Sequence, residues 1–304
     1  MNINILISQI LSMYLISALG FVIKKKGIFN DDTVARVTTL LLKFVTFAII
    51  FISISNNLNY TNLNQFLSAS TYTVIINVIY MIITLVLVKT KIIDGTEGFA
   101  LVFSNANFIG IPLISALFGF HAVLYIVPYV LLQFILMWCY GVYLLSNKSH
   151  GMFKKIFLNP ASLATFSALT LSLLQLKLPS VINTSVESLA SLNSPIAMLL
   201  LGCFVAQIKL SDIQNVLRLL LVSIGRLFIY ALIAIAVFYF IPVTNKEISY
   251  SLLIACGAPI AVSTPLFALS NGGDVKKASS LVLISSLLSI ISIPLIIYLA
   301  EIIL

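Results

Sequence analysis

Ser104-Asn105-Ala106-Asn107-Phe108-Ile109-Gly110-Ile111-Pro112 is an apolar stretch interrupted by polar side chains, a glycine and a proline. A second stretch of the same character, Gly257-Ala258-Pro259-Ile260-Ala261-Val262-Ser263-Thr264-Pro265, lies toward the other end of the chain. In hydrocarbon no water satisfies the peptide groups of an unwound backbone, so such breaks are tolerated only where they are buried in protein or line a cavity. Matched breaks in two halves of a chain point to a substrate site at the bilayer midplane, the arrangement of a transporter.

The rest of the 304 residues fits a membrane setting. Hydrophobic residues make up 61% and charged residues 9%, against roughly 25% charge in a soluble domain. The apolar runs are about 20 residues long, the length that a helix needs to cross ~30 Å of hydrocarbon, whereas barrel strands would be about half that and alternating. Ten helical spans are expected, at about 3–23, 33–55, 66–88, 96–118, 122–145, 158–176, 185–207, 218–241, 248–270 and 277–300. The first has neither a basic region before it nor a small-residue cleavage site after it, which predicts a retained span and not a secretory signal.

Charge sets the orientation. Thirteen of the 17 Lys and Arg residues fall in loops on one side, from Lys24, Lys25 and Lys26 through Lys89 and Lys91 to Lys276 and Lys277, while Lys177 and Lys246 fall on the other. The positive-inside rule makes the basic side cytoplasmic and puts both termini outside, in a multi-pass protein of the cell membrane. The net charge of +8 is thereby explained by topology and gives no reason to expect a nucleic-acid partner.

Five spans per half is an odd number, so the halves 1–145 and 156–304 enter the membrane in opposite senses, as an inverted repeat. The broken spans are the fourth and the ninth, equivalent positions in that scheme. Pro112 has no amide hydrogen and predicts an opened helix ladder near Phe108, and Gly257, Pro259 and Pro265 repeat the device. If both helices unwind and cross, their half-helix N-termini offer free N–H groups and positive dipole ends, which suit an anion. Asn105, Asn107, Ser263 and Thr264 add neutral hydrogen bonds and, with the exposed backbone at Gly110, Ile111 and Pro112 and at Ala258 and Pro259, are the expected substrate-binding residues, the glycines and prolines shaping the crossing point. The competing reading is a pair of proline kinks whose polar residues bridge neighbouring helices.

Lys43 and Arg226 lie within spans two and eight, where a charge is a functional candidate, although either could snorkel to the cytoplasmic surface on its aliphatic stem. Asn193, in the Asn193-Ser194-Pro195 interruption of span seven, and Gln133 in span five are further candidates for the substrate path or for helix packing. Acidic residues fall near span ends, so a buried-carboxylate proton relay has no obvious member. Cys139, Cys203 and Cys256 form neither a disulfide framework nor a metal motif. His121 and His150 have no ligand partner at helical spacing, and no phosphate loop occurs. No enzymatic chemistry, cofactor or metal is expected.

Span four, with Asn105 followed by Phe108-Ile109-Gly110-Ile111-Pro112-Leu113 and Ala116-Leu117-Phe118-Gly119, resembles the auxin efflux carrier family of permeases. So does the ninth-span pattern Ala258-Pro259-Ile260-Ala261-Val262, Ala268 and Gly273-Asp274, with Ser285, Ser289 and Pro294 beyond it. Asn159-Pro160 and Ser194-Pro195 through Gly202 also fit. Prokaryotic members of that family include putative malate and malonate transporters. The resemblance implies a ten-helix fold shared in outline with bile-acid sodium symporters, with a scaffold of spans one, two, six and seven and a transport domain of spans three to five and eight to ten. It also implies a homodimer and elevator-like movement. Family members often carry proline in the middle of span two, where this chain has Phe47-Ala48-Ile49, so a straighter helix is expected there. The resulting expectation is a permease for a small organic anion such as a mono- or dicarboxylate. Two alternatives stand beside it: a sodium-coupled symporter of the bile-acid type, and a membrane sensor that binds without transporting. The coupling ion, sodium or proton, is left open.

Overall fold

A computed structural model describes residues 3–59, 62–146, 160–176, 178–207, 215–243 and 245–304. Twelve helical segments follow in order: α1 (Ile3–Lys25), α2 (Asp31–Asn57), α3 (Leu63–Lys89), α4 (Gly95–Val102), α5 (Ala106–Phe118), α6 (Phe120–Leu145), α7 (Pro160–Leu173), α8 (Ser180–Gln207), α9 (Val216–Phe240), α10 (Lys246–Gly257), α11 (Thr264–Asn271) and α12 (Val275–Ile303). Seven of them (α1, α2, α3, α6, α8, α9 and α12) are long and apolar enough to cross a membrane. The others are shorter, and α4–α5 and α10–α11 stand where the fourth and ninth spans are expected. Lys148, Lys154, Lys155, Lys177, Lys209, His150 and Asn159 lie outside the described residues.

Local chemistry explains the boundaries. Asp94 caps α4: its side chain accepts from the Glu97 N–H while the Glu97 carboxylate accepts from the Asp94 N–H, so two orphan donors are satisfied reciprocally. At the other break, Asn245 caps α10 by accepting from the Glu247 N–H. That helix ends because Pro259 pushes the preceding residue out of the helical region, and Ala258 is extended at φ −62°, ψ 147°. Pro265 then sits in the first turn of α11, where its missing N–H costs nothing. In α8 the axis is interrupted at Leu192, between Ser180–Ser191 and Asn193–Gln207, at the expected place. Pro128 and Pro294 lie inside helices that continue past them.

Helix α1 packs along α8 with little between the backbones: a Cβ added at Gly202 would lie 1.7 Å from the Ser17 carbonyl oxygen, and one at Gly20 would lie 2.0 Å from that of Leu199. Small residues at such crossings allow the close approach that stabilises helix pairs in lipid. Helix α2 packs on α7 and α8, α3 on α4 and α6, α10 on α6 and α9, and α12 on α9 and α11. Between these two groups run the contacts of α2 with α6, α5 with α8 and α1 with α12.

Four helices carry π-bulges: Leu41–Val45 in α2, Ala106–Gly110 in α5, Met137–Gly141 in α6 and Gly225–Ile229 in α9. Such bulges tend to mark functional sites. The two intramembrane cations, Lys43 and Arg226, each sit in one.

Candidate substrate site at the helix crossing

The two breaks meet. Asn105 N–H donates to the Pro259 carbonyl at 2.7 Å, and Ala261 N–H donates to the Phe103 carbonyl at 3.0 Å. Ser104 and Ile260 thus oppose each other in a short antiparallel bridge. The N–H groups of those two residues turn outward to side chains of flanking helices, Ser104 to Gln133 Oε1 on α6 at 3.3 Å and Ile260 to Ser285 Oγ on α12 at 3.1 Å. Unwound backbone is thereby satisfied without water, as hydrocarbon requires.

The unwinding of the first break falls at Phe103–Asn105, a few residues before the place predicted from Pro112. Pro112 lies beyond it, and its missing donor is absorbed by a wider turn, in which Ile111 N–H bonds the Ala106 carbonyl five residues back. What ends α4 is the partner strand: the Asn105 N–H, which would have bonded Leu101 in a continuing helix, is taken by Pro259.

Beside the crossing lies a cavity of about 330 Å³, at the lower end of the ~300–1,000 Å³ typical of small-molecule sites. Asn105, Asn107, Ser263, Gln133 and Lys43 line it, together with Ser104, Thr46 and an apolar wall that includes Phe108, Phe134, Met137 and Phe267. Asn105 Nδ2, Asn107 Oδ1 and Thr46 Oγ1 are buried and have no partner. Unpaired buried polar atoms cost about 1–3 kcal/mol each, which a ligand bound here would recover. The N–H groups of Ala106, Asn107 and Phe108 in the first turn of α5 have no intrahelical acceptor, and these residues line the cavity. Val262 and Ser263, just before α11, line it too, but the first turn of that helix offers less because Pro265 has no N–H and the Thr264 N–H donates to the Ala261 carbonyl. Lys43 forms no ion pair among the described residues.

Other predicted site residues are committed to protein partners or lie away from the cavity. Gln133 lines the cavity with its amide already committed: besides accepting from Ser104 it donates to Asn77 Oδ1 at 2.7 Å and to the Val102 carbonyl at 3.2 Å, which makes it a clamp on the unwound strand. Thr264 turns its hydroxyl to the Ala261 carbonyl at 2.6 Å and is fully buried. Gly110, Ile111, Pro112, Ala258 and Pro259 shape the crossing behind the cavity wall; a Cβ at Gly110 would meet Ile126 at 3.0 Å. Asn193 is buried away from the cavity, and neither side-chain polar atom finds a helix-packing bond. Arg226 does not snorkel: it is fully buried, its Nη1 donates to the Leu101 carbonyl at 3.4 Å, and its guanidinium carbon lies 6.0 Å from the ring centroids of both Tyr80 and Tyr230. Asn77, Tyr129 and Thr46 were not singled out from the sequence. Asn77 carried a usable signal, a carboxamide amid the apolar run of span three.

A helical, multi-pass membrane protein whose two interrupted helices pair beside a small cavity has the architecture of a carrier. Residues 5–154 and 149–297 match the family described as membrane transport protein. The chain belongs to this family, the auxin efflux carrier and malate-transporter-like group that its broken-helix motifs resemble. It is a family of transporters and not of enzymes. Comparison with curated individual proteins gives no match.

Proposed function

We propose that this protein is a secondary carrier of a small organic anion, a mono- or dicarboxylate, working by elevator-type alternating access. The observation that carries the reading is the cavity wall itself: the half-helix N-terminus of α5, three unpaired polar atoms and the Lys43 cation converge there, without a carboxylate among the described residues. Helix N-termini and a cation both favour negative charge. Asn105, Asn107 and Ser263 would hold the carboxylate beside the first-turn amides of α5, and Lys43 would attract it from α2.

The finer architecture belongs to the same proposal. Ten spans form two inverted five-helix repeats, 1–145 and 156–304, an idea supported by the matched supports of the crossing, Gln133 from the fifth span and Ser285 from the tenth. The scaffold is α1, α2, α7 and α8, and the transport domain is α3–α6 with α9–α12, a division supported by the packing of these helices on one another. The protein is a homodimer in the cell membrane with both termini outside. The cavity then lies toward the cytoplasmic side, since it reaches Pro160 at the start of α7.

Asn105→Ala combined with Asn107→Ala tests the site. The double variant is expected to reach the membrane folded and to lose uptake of the anion; full uptake by that variant would remove these residues from the site.

A further inference from the structure

Arg226 is the one side chain at the crossing whose presence the cavity does not explain. It lies outside the cavity lining and is fully buried, and its Nε and Nη2 have no partner. No carboxylate among the described residues pairs with it. A lone cation inside a membrane span is costly, so something at this point must favour positive charge.

The backbone supplies it. Leu101, whose carbonyl accepts from Arg226 Nη1, is in the last turn of α4, where carbonyls are unsatisfied and the helix dipole is negative. Its ordinary helical partner would be the Asn105 N–H, and that donor is spent on Pro259 across the crossing. Cys256, in the last turn of α10, also lies within electrostatic reach of Arg226, as does Tyr129. The carbonyl end of α4, and the last turn of α10 through Cys256, thus lie beside one guanidinium, and the Tyr80 and Tyr230 rings, 4.6 Å apart, sit together on one side of it at 6.0 Å. Aromatic faces attract a cation in the same way. In carriers with broken helices such a half-helix carbonyl end is where a coupling cation is held.

We infer that Arg226 is the resident cation of this crossing, holding with its own guanidinium the place that a coupling sodium ion would otherwise take, so that the carrier works without sodium. Arg226 is a positioning residue: it holds the carbonyl end of α4 behind the cavity wall, beside the last turn of α10, and does not touch the substrate. The inference rests on the transport reading for its flux arm only.

Full-length protein in nanodiscs, melted in sodium chloride and in choline chloride, gives the first arm. Wild type is expected to show no sodium-dependent shift. Arg226→Ala is expected to melt lower, and to recover part of the loss in millimolar guanidinium or sodium, neither of which raises the wild type. A general packing role for Arg226 would give the first loss without that recovery. If Arg226→Ala does not fold, Arg226→Lys, which keeps the charge without the fork, serves in its place and should melt between wild type and unfolded with no response to sodium. In the flux arm, wild-type uptake of a carboxylate is expected to be unchanged when choline replaces sodium. A sodium-induced rise in wild-type melting temperature, sodium-dependent uptake, or an Arg226→Ala variant that melts like wild type would overturn the inference. If no carboxylate is carried but the melting results hold, it is the transport reading that fails.

Discussion

Lys43 and Arg226 present the same problem, a cation inside an apolar helix, and the protein resolves it in opposite ways. Arg226 is buried against a pair of tyrosine rings and a carbonyl end, whereas Lys43 reaches the cavity from the π-bulge of α2. At an effective dielectric constant near 20, unit charges 4 Å apart attract by about 4 kcal/mol before desolvation. A net share of roughly 1.4 kcal/mol would change binding tenfold. Lys43→Gln is therefore expected to raise the KM for a carboxylate about tenfold or more while leaving the melting temperature near that of wild type, measured by concentration-dependent uptake. An unchanged KM would place Lys43 outside the site. The difference between these two residues was not legible in the sequence: each lies eight to twelve residues into its helix, and only the rotation of the helix decides whether a long side chain meets water, cavity or tyrosine.

At the scale of elements, the two crossings that matter are α4–α5 on α10–α11 and α1 on α8. The first depends on Pro259, which keeps Ala258 extended and presents the carbonyl that takes the Asn105 N–H. Pro259→Ala restores the missing donor and lifts the restriction on Ala258, so α10 is expected to extend toward α11 and transport to fall sharply in an uptake assay with protein still in the membrane; unaltered kinetics would make Pro259 a passive kink. The second depends on glycine. Gly202→Ala drives a methyl into the Ser17 carbonyl, and overpacking of this kind costs about 1–3 kcal/mol or more where backbone must move. The expected result is a clear drop in melting temperature, whereas the same change at Gly257, where the nearest atom is 3.8 Å away, is expected to be milder. That the fourth and ninth spans break was readable from Asn, Gly and Pro at the two sites. The register of the pairing was not, because Ser104 and Ile260 meet through long-range hydrogen bonds, and Pro112 was credited with an unwinding that the partner strand causes. The π-bulges likewise left no trace in composition.

The molecule as a whole is an all-helical membrane protein of a transporter family, and that much follows from apolar runs of spanning length, sparse charge and two interrupted helices. The chain predicts ten spans, the fourth and ninth interrupted; among the described residues seven helices are long and apolar enough to cross, and shorter segments stand at the fourth, sixth and ninth places. Which polar groups would remain free for a ligand depended on tertiary partners: Gln133 and Thr264 are consumed by the backbone, while Asn105, Asn107 and Thr46 are left unpaired around the cavity. On the proposed reading these groups form a site for a small anion, flanked by a scaffold and a transport domain that would move against each other.

Uptake of labelled mono- and dicarboxylates into proteoliposomes, with sodium, proton and voltage gradients imposed one at a time, tests that account most directly. Saturable uptake of at least one carboxylate, competed by unlabelled anion and lost in the Asn105→Ala, Asn107→Ala double variant, is the predicted result. Folded protein that takes up none of the panel under any gradient would contradict it, and would point to a ligand-binding protein that does not transport or to a substrate without negative charge.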